Sequence, residues 1–204
     1  MSYEFDKEYW STHWDSAHGE SGLPPHPALA AEVAGLHPGT AVDAGSGEGA
    51  EAFWLAARGW DVTAVDISAH AVQRAATRFP SDAGAGSLSW VEADLTAWEP
   101  DRRFDLVTTF YAHPAIPQHA FYERISRWVN RGGTLLIVGH QDDERHGHGH
   151  THPENAVTEP ERVRALLDPA DWVVRTAEIR ERVVASRNGA QIALRDVVVR
   201  AERI

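Results

Sequence analysis

The sequence predicts an α/β fold: a doubly wound sheet of seven strands, mostly parallel, with an antiparallel hairpin at its C-terminal end. Three observations point there. Strand-like and helix-like segments alternate from Thr40 to Gly139. The strand-like ones, TAVDA, DVTAVD, LSWVEA, FDLVTTFY and TLLIVGH, are largely apolar, as strands covered on both faces are. Beyond them, DWVVRTAEIRERVVAS and IALRDVVVRAER flank Asn188-Gly189, a dipeptide suited to a tight hairpin turn.

Each element has its own local cause. Residues 1–26 carry Tyr3, Phe5, Tyr9, Trp10 and Trp14 without clean periodicity and close on the turn-rich GESGLPPHP, so they read as an aromatic cap. Pro27 suits a first helical position, and Leu29, Val33 and Leu36 recur at helical spacing before HPGT ends that helix. The strand TAVDA follows, then a helix over 49–58 stopped by Gly59, then DVTAVD. Ser68 can cap the next helix, whose Val72, Ala75, Ala76 and Phe79 mark one face. After LSWVEA and FDLVTTFY comes a helix expected over 118–130, with Phe121, Tyr122, Ile125, Trp128 and Val129 on one side. Gly132 and Gly133 lead into TLLIVGH, and TEPE at 158–161 has the pattern of a capping box.

A chain of 204 residues fits one domain, taken here as 1–204. No apolar run is long enough to span a membrane. The N-terminus is acidic and aromatic, unlike a secretory signal, so a cytoplasmic location is expected. Cysteine is absent, which excludes disulfides, thiolate metal sites and cysteine nucleophiles. A net charge of −11 argues against nucleic acid as a partner. The late arginines, Arg175, Arg180, Arg182, Arg187, Arg195 and Arg200, read as a solvated face. Monomer and homodimer both stay open.

The unit VDAGSGEGAEAFWLAARGWDVTAVDIS, residues 42–68, is strand, glycine turn, helix, strand and acid, an arrangement that grips adenosine-containing ligands. A dinucleotide site favours G-x-G-x-x-G, with the helix N-terminus on the pyrophosphate. Here Gly45-Ser46-Gly47-Glu48-Gly49 reads G-x-G-x-G, with Ala50 at the expected third position. Asp43, Glu48 and Glu51 surround the turn, and carboxylates there oppose a diphosphate while tolerating an ammonium or a sulfonium. Asp66 stands where an acid accepts ribose hydroxyls, a feature common to both kinds of ligand. Asp94 can accept the adenine amino proton, with the Leu95 amide facing the ring.

In these segments, VDAGSGEG, VDIS, EADL, FDLVTTFYAHP and RGGTLLIVGH, the chain resembles the class I S-adenosylmethionine-dependent methyltransferases, in that family's order and spacing. It is most similar to the small bacterial branch of thiopurine and tellurite methyltransferases. The resemblance implies a Rossmann-like sheet of order 3-2-1-4-5-7-6, with S-adenosylmethionine as cofactor and S-adenosylhomocysteine as product. A small molecule would accept the methyl group. It also implies site roles: Asp43, Gly45, Ser46 and Gly47 at the methionine portion, Asp66 and Ile67 at the ribose, and Asp94 and Leu95 at the adenine. Thr108 to Ala112, Thr109 among them, would line the transfer channel, with Tyr9, Trp10 and Trp14 folding over the cofactor as a lid.

Methyl transfer needs alignment, exclusion of water and, for an acceptor that arrives protonated, a base. His113 and His140 stand at strand ends and are the candidate catalytic groups. The run HQDDERHGHGHTHPEN, in the loop 140–157, reads as a solvated His-rich loop bordering the substrate, with no metal assigned. Two other readings are weighed against the methyltransferase. A nicotinamide-dependent oxidoreductase lacks its Tyr-x-x-x-Lys pair here, and a non-catalytic cofactor- or metal-binding protein is suggested by the histidines alone.

Overall fold

The computed structural model describes residues 5–16, 24–79, 85–141, 157–185 and 191–204, giving backbone alone for residues 13–16, 185 and 192. The His-rich run from 142 to 156 and the Asn188-Gly189 turn lie outside the described residues. Helices α1 (Lys7–Ser16) and α2 (Pro27–Val33) precede strand β1 (Thr40–Ala44). Then come α3 (Ala50–Ala56), β2 (Asp61–Asp66), α4 (Ala69–Arg78), β3 (Ser87–Glu92) and β4 (Phe104–Phe110). The chain continues through α5 (Gln118–Ser126), β5 (Val129–Gln141), β6 (Val157–Thr158), α6 (Pro160–Ala165), β7 (Trp172–Ala185) and β8 (Gln191–Arg203).

The strands form one sheet in the order β3-β2-β1-β4-β5-β8-β7, with the two-residue β6 beside the end of β5. Apart from β6, which makes eight strands of an expected seven, the order is the one the sequence implied. Only β8 runs antiparallel to its neighbours β5 and β7. Side chains alternate between two cores. On one face Val42, Val107, Leu135, Ile137, Val197 and Val199 pack with α5 and α6 residues such as Phe121, Ile125 and Val163. On the other, Ala41, Leu106, Leu136, Val138 and Val198 meet Leu29 and Val33 of α2 and Leu55 of α3. Every central strand therefore buries both of its faces, which is why its sequence is apolar in consecutive positions.

Two local expectations are corrected. The helix expected over 118–130 ends at Ser126, and Val129 already opens β5, paired with Phe104. The capping box at 158–161 does not form: Thr158 belongs to β6, while Glu159 precedes α6 without a side-chain cap and Pro160 begins it. Ser68 does cap α4, its hydroxyl accepting from the Ala71 amide at 3.3 Å.

Order reverses at β1, whose neighbours are β2 on one side and β4 on the other. Chains leaving β1 and β4 thus diverge to opposite faces and leave a crevice beyond their carboxyl ends.

Candidate active site

A cavity of about 600 Å³ opens in that crevice. Its floor is the turn after β1. The amides of Gly45 and Ser46 both donate to the Val65 carbonyl, at 2.8 and 3.0 Å, which folds the turn onto β2. Gly45 has φ +83°, and a Cβ on it would collide with the Ala112 side chain after β4. Gly49, with φ +78°, is the N-cap of α3 and lies against the Trp90 ring with no room for a side chain. The third glycine of G-x-G-x-G therefore serves helix entry and packing on β3.

Acids ring this floor. Asp43 is buried, and its Oδ1 accepts from the Thr108 hydroxyl at 2.8 Å. Its Oδ2 is buried without a hydrogen-bond partner among the described residues, as is the Ser46 hydroxyl. Burial, the Glu51 carboxylate and then Asp66 push the Asp43 pKa up to about 8, against the Thr108 hydrogen bond. Glu51 is itself raised by burial, opposed by the amide of His26, which donates to its Oε1 at 2.9 Å. Asp66 accepts from the Gly47 and Ser68 amides at 2.8 and 2.9 Å; burial raises its pKa while these bonds oppose. A carboxylate has about four acceptor positions, so Asp66 keeps lone pairs for a ligand. Asp94 is exposed at the cavity edge, and its Oδ1 accepts from the Thr96 amide at 2.8 Å.

The opposite wall is built from distant segments. Tyr111 has φ +53°, a left-handed conformation that costs energy in a non-glycine residue. A network holds it there. The Tyr111 hydroxyl donates to Asp196 Oδ1 at 2.6 Å and accepts from Arg182 at 3.2 Å. Arg182 Nε also donates to Asp196 Oδ2 at 2.6 Å. His26 Nδ1 accepts from the Ala28 amide at 3.1 Å, so in the neutral ring Nε2 carries the hydrogen and points at Asp196 Oδ2, 3.0 Å away. Burial alone would raise the Asp196 pKa, but bonds from His26, Tyr111 and Arg182 bring it down to about 2. Burial and the same carboxylate push the Tyr111 phenol up. With donor and acceptor positions engaged, neither His26 nor Tyr111 is placed to act as a base.

His113 lies at the junction of the two walls, buried, with Nδ1 3.1 Å from Gln118 Oε1. The His140 ring stacks on Tyr111 at 4.4 Å and on His113 at 5.5 Å, without lining the cavity itself. From the N-terminal segment Phe5 and Trp10 line the cavity, and Trp10 Nε1 donates to the His113 carbonyl at 3.2 Å.

Comparison with known proteins bears on this geometry. A family described as "Methyltransferase domain" matches residues 41–133, from β1 to the first part of β5. Over that stretch the chain is similar to methyltransferase domains. A probable thiol methyltransferase 2 of Arabidopsis thaliana is 29% identical over 144 residues, covering 68% of this chain and 64% of that protein. An uncharacterized methyltransferase of Mycobacterium tuberculosis is 38% identical over 99 residues, covering 48% of each. The matches thus span less than two thirds of each of these relatives. Among solved structures, TehB from Haemophilus influenzae superposes with TM-score 0.72 at 16% identity, over 97% of this chain and 67% of that one. Magnesium protoporphyrin IX methyltransferase from Synechocystis, solved with bound SAH, gives TM-score 0.64 at 18% identity, over 96% and 84%. At these identities the structures show the fold.

The fold brings Asp43, Gly45, Ser46, Gly47, Asp66, Ile67, Asp94, Leu95 and His113 to one cavity. Other expected site residues sit elsewhere. Thr109 is buried in the sheet, donating to the Ala44 carbonyl at 2.8 Å, and does not face the cavity. Tyr9 is 42% exposed, its ring edge-on to Phe5 and Trp10, so those two rings meet the cavity in its place. Trp14 is in α1, but its side chain lies outside the described residues. Arg182, read as part of a solvated face, is instead paired with a buried acid, and Arg180 likewise pairs with the buried Glu32. Tyr111, within the stretch 108–112 expected to line the channel, does line the cavity; His26, Asp196 and Gln118 carried no signal as site residues, although an acid interrupting the apolar strand ALRDVVV marks Asp196.

Proposed function

We propose that this domain transfers a methyl group from S-adenosylmethionine to a small-molecule acceptor. The observation that carries this reading is Asp43. A buried carboxyl with one oxygen unbonded among the described residues, beside Glu51 and Asp66, is the complement of a ligand cation. The nearby Ser46 hydroxyl, equally without a partner there, suits a ligand carboxylate. A nicotinamide diphosphate would instead set its charge against these acids, and that reading is not favoured. Asp43 would hold the amino group of the methionine portion, Asp66 the ribose, and Asp94 with the Leu95 amide the adenine. The cofactor supplies an electrophilic methyl group on a positively charged sulfur. The chain's task is to exclude water and aim the acceptor, for which Phe5, Trp10 and Pro24 to Pro27 give an apolar enclosure. A probable thiol methyltransferase among the relatives makes thiols the first acceptors to try. Among the described residues no helix is long and apolar enough to cross a membrane.

Calorimetric titration with S-adenosylhomocysteine and NAD, followed by incubation with methyl-labelled cofactor and a panel of thiols, phenols and heterocycles, tests the reading. Binding of the nucleoside and label in one acceptor class are expected. Binding of NAD alone would overturn it.

A further inference from the structure

Among the described residues Tyr111 is the one non-glycine position with a positive φ, +53°, and it stands on the cavity wall. A bulky aromatic residue keeps to this left-handed region only where its surroundings outweigh the cost. Its amide still belongs to the sheet, donating to the Val138 carbonyl at 2.9 Å, so the chain changes direction at this one residue. Just past it Ala112 meets the floor, its side chain so near Gly45 that no Cβ fits between them. His113 and Pro114 then continue the wall. Where 112–114 stand therefore follows from the backbone of Tyr111.

What holds that backbone acts at the far end of the side chain. The phenol donates to Asp196 Oδ1 at 2.6 Å and accepts from Arg182 at 3.2 Å, with His26 Nε2 3.1 Å away. Arg182 and the Nε2–H of His26 only donate here, so Asp196 is the acceptor that the phenol proton needs. It is buried and ionised, which makes the bond short and strong. Asp196 itself does not line the cavity.

We propose that Asp196 is a positioning residue: through the Tyr111 phenol it holds the left-handed turn, and the segment 112–114 so placed limits the size of the methyl acceptor. This rests on the methyltransferase reading and adds to it the residue that sets the acceptor's size, from a strand outside the matched segment 41–133. No bond is made or broken at Asp196. Released from it, the turn relaxes toward negative φ, Ala112 leaves Gly45, and the cavity widens on that side.

Tyr111→Phe keeps the ring and removes the anchored hydroxyl. Its crystal structure with S-adenosylhomocysteine should show residue 111 at negative φ and Ala112 withdrawn from Gly45; a turn kept as in the parent would overturn the proposal. Asp196→Asn sets an NH2 group against either the phenol or the Arg182–His26 pair and should act in the same way. Tryptophan fluorescence then reads the binding of thiophenol and naphthalenethiol to the S-adenosylhomocysteine complex, with no need of turnover. Either variant should favour the larger thiol about tenfold more than the parent does. Affinity for S-adenosylhomocysteine should stay within about twofold, since the Gly45 and Ser46 amides remain bonded to Val65. The double variant should shift the preference no further than either single one, because both cut the same link. An unchanged preference, additive shifts, or a parent complex that binds neither thiol would equally refute it. A parent that binds no S-adenosylhomocysteine strikes the methyltransferase reading instead, and the backbone of Tyr111→Phe, solved without ligand, still decides whether the hydroxyl anchors the turn.

Discussion

Cofactor binding should expel a proton from Asp43. With its pKa raised to about 8, the carboxyl is about nine-tenths protonated at pH 7 in the free protein. An ammonium held about 4 Å away interacts with the ionised form by about 4 kcal/mol at the effective dielectric of a protein site. Even half of that lowers the pKa by roughly 1.5 units, and a shift of two units, to about 6, lies within the range seen for carboxylates beside a cation. At pH 7 the bound carboxyl would then be about one-tenth protonated, so about 0.8 proton leaves per ligand. Linkage gives the sign: affinity rises with pH below 8, by about fivefold between pH 6 and 7, where the ligand's own ammonium stays protonated.

Isothermal titration with S-adenosylhomocysteine in buffers of different ionisation enthalpy measures this release directly. Asp43→Asn keeps an oxygen for Thr108 but has no proton to lose, so its binding enthalpy should be independent of buffer and its affinity much weaker. Proton uptake by the parent, or an unchanged release in Asp43→Asn, would refute the argument and shift the linkage to Glu51 or Asp66, whose pKa values burial also raises.

The same variant should be the more stable protein without ligand. A carboxyl ionising near pH 4 when unfolded and near 8 when folded gives stability that is complete below pH 4 and is lost as pH rises toward 8. Asp43→Asn removes that loss, and at pH 8 a gain of about 1 kcal/mol or more, roughly 2–4 °C in Tm, is expected by calorimetry. Gly45→Ala forces a side chain into a left-handed position against Ala112, and urea unfolding should show a cost of about 2 kcal/mol or more. Asp196 works in the opposite sense to Asp43. Its folded pKa of about 2 lies below the unfolded value, so its contribution is present above pH 4 and disappears as pH falls toward 2. The stability of Asp196→Asn, measured by urea unfolding at several pH values, should accordingly depend less on pH in that window than the parent's.

The cavity floor was legible because it is local. Asp43, Gly45, Ser46 and Gly47 are consecutive or nearly so, while Asp66 ends β2 and Asp94 follows the end of β3 by two residues, both after strands whose apolar text announces them. Parallel pairing then puts those ends side by side without further information, as Asp43 faces Ala64 and Thr108 across the ladders. The opposite wall was legible only at Tyr111, within the stretch 108–112, because no short stretch contains the rest. His26 precedes the first strand, Tyr111 follows the fourth, and Arg182 and Asp196 stand on the last two. Asp196 lies opposite His140 on one side and Arg180 on the other, and that register depends on a hairpin whose turn alone does not fix it. Arg182, two residues along from Arg180, reaches Asp196 on the diagonal. Thr109 was misplaced for a simpler reason: one step along a strand reverses the face, and its hydroxyl is spent on Ala44.

This division has a functional consequence. The residues matched to the methyltransferase family, 41–133, supply the floor that suits the cofactor, together with Tyr111 and His113. What faces them across the cavity, Phe5, Trp10, Pro24, Pro25, His26 and Arg182, comes from outside that range. Of those flanking residues, His26 and Arg182 are tied to the matched segment through Asp196, which binds them and Tyr111 at once. A buried acid that neutralises one arginine while satisfying a phenol and an imidazole leaves little conformational freedom to any of them. That part of the wall is therefore held rigid, with Arg182 and Asp196 already paired, and selectivity among ligands would come from the shape of the cavity.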